Sequence, residues 1–504
     1  MSSEVETSFA ACLDFARHER VIDCRLWLML DAPIPIPPCM PMTKTASHQI
    51  ASPSEAEAFF AAHPDIDAVD IIFTNMCGVP RGKRLRAHEA LAVYKAGRFL
   101  PGSAVVVDIT GRDTEETGLV WEDGDADRQI WPIPGTLVRT PWAGPNAAQF
   151  LTGFYELDGT PNDLDPRHVL GRVIDRMAGL GYTPDVAVEL EFYLVDAKRG
   201  RDGRPKPART PHTGATPHDI QVYGLTEMED FRAFFDDLYA CADAQGLPLE
   251  AAISEYAAGQ FEMTLAHKAD ALRACDDAIM HKRMVKAIAA KHGMEATFMA
   301  KPFEASAGNG MHLHASLLDA DGKNAFASED PAGTPLLREC IAGMQATMAD
   351  AFLIFAPNAN SYRRFKANSY APVAPTWGVN NRTVSFRVTA GPPNTRHVEH
   401  RIGGADANPY LAMAAMLAGM CHGIEHKLDP GAPVVGNGYE AESDAPGMPG
   451  NWFAAVERFA ASDVMKDHLG ERFVKMYSIV KRTEQERFFA TVPTLDYDWY
   501  LRTA

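Results

Sequence analysis

The sequence predicts an α+β fold with two domains, and three observations favour it. Between residues 54 and 157, short β-like runs are separated by turns that contain Gly and Pro, which is typical of a small mixed domain. From residue 165 to the C-terminus, strand patterns alternate with helical patterns. Four of these later strands have one apolar face and one face that carries acidic, basic or imidazole side chains.

The first predicted domain covers residues 46–157. Ala68–Phe73 and Val105–Ile109 are rich in apolar and β-branched residues, so both predict strands. Gly78–Gly82 contains two Gly and one Pro and predicts a turn. Residues 1–45 look detached from this domain, and we expect them to be a flexible N-terminal extension or an over-long start.

The second predicted domain covers residues 158–504 and opens with a helix. Asp165 is a favourable N-cap residue, and Pro166 suits the first helical turn. An apolar stripe follows at helical spacing, made by Leu170, Val173, Ile174 and Met177. The charged stretches 269–292 and 453–487 predict further long helices.

Four strands of this second domain share one pattern. They are Asp185–Asp196, Gly259–Leu265, Met311–Leu317 and Thr383–Val388. Because side chains alternate between the faces of a strand, the polar residues of each run lie together. These polar faces carry Glu189 and Glu191, then Gln260, Glu262 and Thr264, then His312, His314 and Ser316, and finally Thr383, Ser385 and Arg387. An ordinary solvated face explains any one of these strands, but it does not explain all four.

The chemistry of these faces indicates metal-dependent phosphoryl transfer. Glutamates two residues apart on a strand, such as Glu189 and Glu191, repel each other unless a positive charge lies nearby. Carboxylates with one or two imidazoles suit Mg²⁺ or Mn²⁺, and arginine forks suit phosphate. The sequence contains no Gly-rich phosphate-binding motif of the Walker or Rossmann type, so a nucleotide must be held in another way.

Composition excludes several other functions. The chain has 66 acidic against 48 basic residues and a formal net charge of -18, which argues against a nucleic-acid or anionic-membrane surface. The same charge suits metal ions or a protonated amine, although solubility alone also explains it. No apolar run reaches the roughly 18 residues of a membrane span. The eight cysteines include no C-x-x-C pair, so they indicate neither a disulfide framework nor a zinc site, and we expect reduced thiols in a cytoplasmic protein.

Several motifs together resemble the glutamine synthetase family, in matching order from about residue 50 to the C-terminus. They are VELEFY at 188–193, EYAAGQFE at 255–262, GNGMHLH at 308–314, NSYRR at 360–364, NRTVSFR at 381–387, and VEHR at 398–401 followed by NPY at 408–410. Concordance of this many motifs makes a chance resemblance very improbable.

The resemblance implies roles for residues at matching positions. The metal ligands would be Glu189, Glu191, Glu255, Glu262, His312 and Glu399, although a structural salt-bridge network is the alternative. The amino-acid substrate would be held by Gly308, Arg364 and Arg401. ATP and the transferred phosphate would contact His314, Ser316, Arg382 and Arg387. Arg364 and Arg382 would act in catalysis, and the cofactors would be ATP with two or more Mg²⁺ or Mn²⁺ ions.

The resemblance also implies a fold, a reaction and an assembly. A small β-grasp domain would precede a larger catalytic α/β domain with a curved antiparallel sheet. ATP would phosphorylate the γ-carboxylate of glutamate, and an amine would attack the resulting γ-glutamyl phosphate. Subunits would assemble into stacked, dodecamer-like rings, with active sites between neighbouring subunits.

Two departures from the ammonia-using members bear on the amine. Tyr370 stands where those members place an ammonium-binding glutamate, and Pro101 aligns with their aspartate from an N-terminal loop. These differences resemble the γ-glutamylpolyamine (γ-glutamylputrescine) synthetase branch, with putrescine or another alkylamine as substrate. Tyr370 would form a wall of the amine pocket, or simply pack. The segment Asp108–Glu116 would hold a distal ammonium, or is a plain acidic loop. The alternatives are an ammonia-using glutamine synthetase and a non-catalytic member of the family.

Overall fold

The computed structural model describes residues 49–504. The predicted extension at residues 1–45 therefore lies outside the described residues. Two sheets follow one another along the described chain, the first within residues 68–155 and the second within residues 183–400. The domain boundary at residue 157 stays a prediction, since the described chain forms one compact unit.

The first sheet has six strands in the order β2-β1-β6-β4-β3, with β5 paired to β6. The strands are β1 Ala68–Thr74, β2 Pro80–Arg86, β3 Arg98–Pro101, β4 Asp127–Pro132, β5 Val138–Arg139 and β6 Ala147–Tyr155. β1 and β6 run parallel, and the other pairs are antiparallel. Alternating residues of β1, namely Val69, Ile71 and Phe73, point into an apolar core of their own.

The second sheet has eight strands in the order β12-β13-β14-β11-β7-β9-β8, with β10 paired to β7. The strands are β7 Thr183–Asp196, β8 Leu249–Ser254, β9 Gln260–Leu265, β10 Met294–Thr297, β11 Met311–Leu318, β12 Trp377–Val379, β13 Phe386–Val388 and β14 Val398–His400. Only the pair β12–β13 is parallel. The mainly antiparallel sheet agrees with the expectation for this domain.

Twelve α-helices surround the sheets in the described part of the chain. They are α1 Pro53–Ala62, α2 Ala87–Ala96, α3 Pro166–Gly179, α4 Leu225–Asp230, α5 Arg232–Gln245, α6 Ala271–Lys291, α7 Pro335–Phe355, α8 Pro409–His426, α9 Trp452–Ala461, α10 Asp463–Leu469, α11 Glu471–Phe489 and α12 Thr494–Tyr500. As predicted, the Asp165 carboxylate caps α3 by accepting a hydrogen bond from the Arg167 backbone N–H.

Helices α7 and α8 pack tightly against each other in the core of the second sheet. Gly343 and Gly423 allow this close approach, because a Cβ on Gly423 would lie 1.9 Å from the carbonyl oxygen of Glu339. The inward side chains of β7, such as Val188, Leu190 and Phe192, are fully buried in this core. One face of the sheet is therefore fixed by apolar burial, and its other face is free to carry polar groups.

Three local predictions were wrong. Val105–Ile109 is not a strand; Val105 ends a short 3₁₀ helix, Gly102–Val105, and the run is apolar because Val105, Val106 and Val107 all pack in the interior. The turn at Gly78–Gly82 ends early, since β2 begins at Pro80. The strand predicted at Thr383–Val388 is shorter because Asn381 accepts hydrogen bonds from the Thr383 backbone and hydroxyl and holds a turn there.

Within residues 49–504, no helix combines the length and the apolar character that crossing a membrane requires. The five cysteines in this part of the chain are buried and unpaired, and they are Cys77, Cys241, Cys275, Cys340 and Cys421.

Candidate active site

The register of the second sheet brings the polar faces of five strands into one row. The directly opposed residues are Glu262 with Glu191, Glu189 with His312, His314 with Glu399, and Glu399 with Arg387. Directly opposed residues on an antiparallel pair have neighbouring side chains. The row therefore passes from a purely acidic end at β9 to a basic end at β13.

At the centre of the row, Glu189 lies between two histidines and is hydrogen-bonded to one of them, His312. His312 Nδ1 lies 2.6 Å from Glu189 Oε1, and His314 Nε2 lies 3.4 Å from Glu189 Oε2. Burial alone would raise the pKa of Glu189, but the two imidazoles outweigh it and hold that pKa well below its usual range. Glu189 is therefore an ionised carboxylate inside the protein.

The basic end of the row holds a second ionised carboxylate. Glu399 is buried and forms ion pairs with Arg401 and with Arg387, whose Nη1 lies 2.9 Å from Glu399 Oε2. Burial opposes ionisation, but the Arg401 charge outweighs it and lowers the pKa of Glu399 to about 2. The Nε atoms of Arg387 and Arg401 have no partner among the described residues, so both arginines keep donors for another ligand.

At the acidic end of the row, fewer positive charges lie near the carboxylates. Glu191 accepts hydrogen bonds from the Gly310 backbone N–H (2.7 Å) and from Gln260 (3.3 Å). Burial and the charges of neighbouring glutamates raise the pKa of Glu262 to about 11, and burial with the Glu191 charge raises the pKa of Glu255 to about 8. Three carboxylates thus converge where the protein supplies few positive charges.

This donor set fits divalent metal ions. One ligand atom from each of Glu189, Glu262 and His312 lies within 4.8 Å of the other two, and Glu189, His314 and Glu399 form a similar group. Oxygen-rich sets with a single imidazole suit Mg²⁺ and Mn²⁺ better than zinc. A cation would also reverse the unfavourable charge balance that raises the pKa values of Glu255 and Glu262.

A cavity of about 360 Å³ opens beside the carboxylates. The resemblance assigns fourteen residues to the metals, to glutamate, to the nucleotide or to the wall of the amine pocket. Ten of them line this cavity, and they are Glu189, Glu191, Glu255, Glu262, Gly308, His312, Arg364, Tyr370, Arg382 and Arg401. A larger cavity of about 660 Å³, next to Lys282 and Phe298, has no such cluster of carboxylates and imidazoles. The smaller cavity is therefore the candidate active site.

Arg364 and Gly308 form one wall of this cavity. Arg364 is buried, and its Nη1 donates to the Ile402 carbonyl oxygen at 2.7 Å, which fixes the guanidinium. A Cβ on Gly308 would lie 2.6 Å from the Ala300 carbonyl oxygen and 2.9 Å from Arg364 Cγ, so the close packing there requires glycine. Arg382 lies at the exposed rim, on the turn that Asn381 holds.

Four of the fourteen residues lie outside the cavity lining: Glu399, His314, Ser316 and Arg387. Three of them, Glu399, His314 and Arg387, continue the same row along β11, β14 and β13. Ser316 is buried farther along β11, opposite Asp185.

The structure adds aromatic residues to the site that sequence reasoning missed. Tyr223 and Tyr256 line the cavity with Tyr370, and the ring centroids of Tyr256 and Tyr370 are 5.6 Å apart. All three rings are partly exposed. Tyr256 adjoins Glu255 in a recognised motif, but Tyr223 follows an irregular loop that gave no signal.

Two further sequence expectations concern the amine. Pro101 ends β3 and does not line the cavity. Asp108 is buried, its carboxylate accepts hydrogen bonds from Thr110 and Arg112, and it pairs with Arg487 at 2.6 Å. Within this subunit, Asp108 borders the larger cavity, so it does not face the candidate active site.

Comparison with known proteins gives a family. The model of the glutamine synthetase catalytic domain matches residues 163–500. This match agrees with the resemblance that the motifs indicate.

Three relatives in the curated proteins are named as ligases of organic amines. The γ-glutamylputrescine synthetase of Escherichia coli K12 is 38% identical over 89% of this chain and 95% of its own length. The γ-glutamylethanolamide synthetase of Streptomyces coelicolor is 35% identical over 89% of this chain and 94% of its own length. The glutamate–isopropylamine ligase of a Pseudomonas species is 34% identical over 84% of this chain and 92% of its own length.

Among solved structures, ligand-free GmaS is similar to this chain. The two share 29% sequence identity and a TM-score of 0.75, over 88% of this chain and 99% of that chain.

Proposed function

Because the chain belongs to the glutamine synthetase family, we propose that it is an ATP-dependent ligase that joins the γ-carboxylate of glutamate to an organic amine. The observation that carries this proposal is the pairing of the carboxylate–imidazole cluster with an aromatic wall at Tyr370 in one cavity. The names of the three amine-ligating relatives support the same reaction.

The six predicted ligands would hold the divalent ions that ligases of this family use. Glu191, Glu255 and Glu262 would hold one ion at the acidic end, and Glu189, His312 and Glu399 would hold another at the centre of the row. Bound there, the ions would neutralise phosphate charge and polarise the reacting oxygens. Substrate positioning and stabilisation of the transferred phosphoryl group would depend on the protein's own side chains.

Arginines would position the two anionic substrates. Arg364, fixed by the Ile402 carbonyl, would hold glutamate together with Gly308 and Arg401. Arg387 and His314 would contact the nucleotide phosphates, with Ser316 farther along the same strand. Arg387 and Arg401 have free Nε–H donors for such contacts.

The reaction would proceed in two steps. The γ-carboxylate of glutamate attacks the terminal phosphorus of ATP and forms γ-glutamyl phosphate, with ADP leaving. A neutral amine then attacks the acyl carbon and displaces phosphate. Arg382, exposed at the rim, is free to move onto the transferred phosphoryl group and stabilise its charge, whereas buried Arg364 keeps glutamate in place.

The aromatic wall favours an alkylamine over ammonia. Tyr370 contacts Tyr256 at the mouth of the cavity, beside Glu255. Aromatic rings bury an alkyl chain and attract a distal ammonium through their faces. Ammonium is small and needs a carboxylate for capture, and Tyr370 stands where the ammonia-using members have that carboxylate.

We also propose that the subunits form stacked, dodecamer-like rings. Several large apolar side chains near the C-terminus are exposed in the single chain, namely Phe488, Phe489, Val492, Leu495, Trp499 and Leu501. Exposed apolar clusters of this kind mark protein contacts.

Phosphate release from the full chain with ATP, glutamate and Mg²⁺ tests the proposed reaction. The panel of amines is ammonium, putrescine, spermidine, ethanolamine and methylamine. Turnover with one organic amine and little with ammonium supports the proposal. Turnover best with ammonium would make the protein a glutamine synthetase, and no metal-dependent turnover with any amine would favour a non-catalytic member.

A further inference from the structure

Three histidines converge beside the row of metal-ligand candidates. His267 follows β9, His314 lies on β11, and His397 directly precedes β14. The ring centroid of His397 lies 5.1 Å from that of His267 and 5.2 Å from that of His314. One nitrogen from each ring lies within 4.8 Å of the other two. We name these residues the histidine trio; neither His267 nor His397 has a role in the proposed ligase reaction.

Hydrogen bonds fix the tautomer of His397. Its Nδ1 lies 2.9 Å from the Thr395 carbonyl oxygen, which can only accept, so Nδ1 carries the hydrogen. The lone pair of His397 is therefore on Nε2, which lies 3.2 Å from His314 Nδ1. The Thr389 hydroxyl is also 3.2 Å from Nε2 and can rotate towards or away from it.

His314 presents Nδ1 to this lone pair. Its other nitrogen, Nε2, is buried 3.4 Å from Glu189 Oε2 and has no hydrogen-bond partner among the described residues. A metal ion held between His397 Nε2 and His314 Nδ1 would leave the hydrogen of His314 on Nε2, next to the Glu189 carboxylate.

The spacing fits a metal ion. Zn²⁺–nitrogen bonds of about 2.0–2.1 Å at a tetrahedral angle place two ligand nitrogens about 3.3 Å apart. The observed separation of 3.2 Å matches this value. The hydrogen bond from His397 Nδ1 to the Thr395 carbonyl also matches the usual support of a metal-binding histidine, in which the second ring nitrogen donates to a carbonyl or a carboxylate.

We propose that the histidine trio binds one divalent transition-metal ion, separate from the ions of the carboxylate cluster. Three imidazoles favour Zn²⁺, Co²⁺ or Ni²⁺, whereas the carboxylate cluster favours Mg²⁺ or Mn²⁺. His267 is exposed just beyond the end of β9, so the fourth coordination position is open to water or to an anionic ligand. Glu189 is next to both sites, because its oxygens lie 2.6 Å from His312 Nδ1 and 3.4 Å from His314 Nε2.

Cobalt titration of the full chain tests this proposal. Saturating Mg²⁺ would first occupy the carboxylates, with nucleotide and glutamate left out, and Co²⁺ would then be titrated while the visible spectrum is recorded. We expect one Co²⁺ per chain with the intense absorption of tetrahedral Co²⁺. Carboxylate-bound Co²⁺ is octahedral and gives only weak absorption. Because no ligase turnover is measured, the result does not depend on the proposed function.

Two variants locate the metal, and one controls for other histidines. His267→Ala and His397→Ala each remove one ligand, and we expect each to weaken Co²⁺ binding at least about 10-fold. His422→Ala is the matched control, because His422 and His426 form another close pair, with ring centroids 4.3 Å apart on α8. This control should leave the spectrum unchanged.

Two results would overturn the proposal. If the unaltered protein gives no tetrahedral band, a proton and not a metal separates His314 from His397. If the band persists with unchanged affinity in His267→Ala and His397→Ala, the cobalt binds elsewhere. His267 is exposed, so its replacement tests the site without disturbing the core, and circular dichroism checks that both variants are folded.

Discussion

Glu262 lies directly opposite Glu191 in the antiparallel pair of β9 and β7, so two carboxylates face each other across the strands. Burial and the negative charges of Glu189 and Glu191 raise the pKa of Glu262 to about 11. Both carboxylates can be ionised at neutral pH only with a cation close by. The fold therefore places unfavourable charge where a metal ion would offset it.

The first prediction follows from this pair. Because the pKa of Glu262 is about 11, folding of the metal-free protein at neutral pH must protonate this carboxyl, which costs free energy. Glu262→Gln needs no proton and cannot supply a carboxylate ligand, so it should stabilise the metal-free protein while weakening metal binding. In EDTA, the variant should melt at a higher temperature than the parent protein. Adding excess Mg²⁺ should raise the melting temperature of the variant by less than it raises that of the parent protein. Ligase activity should fall by about 100-fold. An Mg²⁺-induced increase as large as that of the parent protein would contradict the assignment of Glu262 as a ligand.

The second prediction concerns the glutamate site. Gly308→Ala would push on the Ala300 carbonyl and on the side chain of Arg364. We expect the KM for glutamate to rise at least about 10-fold while the KM for ATP stays nearly constant. Gly179→Ala is the control, because a Cβ at Gly179 meets no atom within 4 Å. Equal effects on both KM values would mean that Gly308 supports the fold and not the glutamate site.

The third prediction concerns amine choice. Tyr370→Glu restores a carboxylate at the position where ammonia-using relatives have one and removes the aromatic wall. The kcat/KM for the preferred organic amine should fall by at least about 10-fold, and that for ammonium should rise. Tyr370→Phe keeps the ring, so it should retain the preference for the organic amine. If Tyr370→Glu and Tyr370→Phe have the same amine profile as the parent, Tyr370 only packs against Tyr256.

The fourth prediction concerns pH and stability. His281 is buried in α6 with no hydrogen-bond partner among the described residues, and burial lowers its pKa to about 3. Between pH 6.5 and 3 the unfolded chain binds a proton at His281 that the folded chain does not bind. This residue therefore makes the free energy of unfolding decrease as the pH falls through that range.

His281→Leu should remove this contribution. Urea unfolding at pH 6.5 and pH 4.5 should show that the parent loses about 2–3 kcal/mol more than the variant over this interval. Identical losses in the two proteins would show that His281 is protonated in the folded state. His218→Leu, at an exposed position, is the matched control and should behave as the parent does.

The strands of the site were predictable because burial fixes one of their faces. Val188, Leu190 and Phe192 alternate with Glu189 and Glu191, so the sequence alone predicted which side chains share a face. The order and register of the strands could not be predicted in this way. That Glu189 lies opposite His312, and His314 opposite Glu399, depends on pairings between residues more than 80 positions apart.

Residues outside regular strands were harder to predict. Tyr223 has a positive φ of 59°, and His397 follows a 3₁₀ turn and precedes β14, so neither residue lies in a repeating pattern that the sequence could reveal. The strand predicted at Val105–Ile109 was wrong for a related reason. A buried segment is rich in apolar residues whether it is a strand or a 3₁₀ helix, so composition does not distinguish the two. The binding roles of the site residues remain predictions that the variants above test.

The central claim is that glutamate is joined to an organic amine. The most direct test incubates the full chain with ATP, Mg²⁺, glutamate and equal concentrations of putrescine and ammonium, and then identifies the products by mass spectrometry. We predict γ-glutamylputrescine as the main product, formed with one ADP per product and absent without Mg²⁺. Glutamine as the main product would contradict the claim and would make the protein an ammonia-using glutamine synthetase.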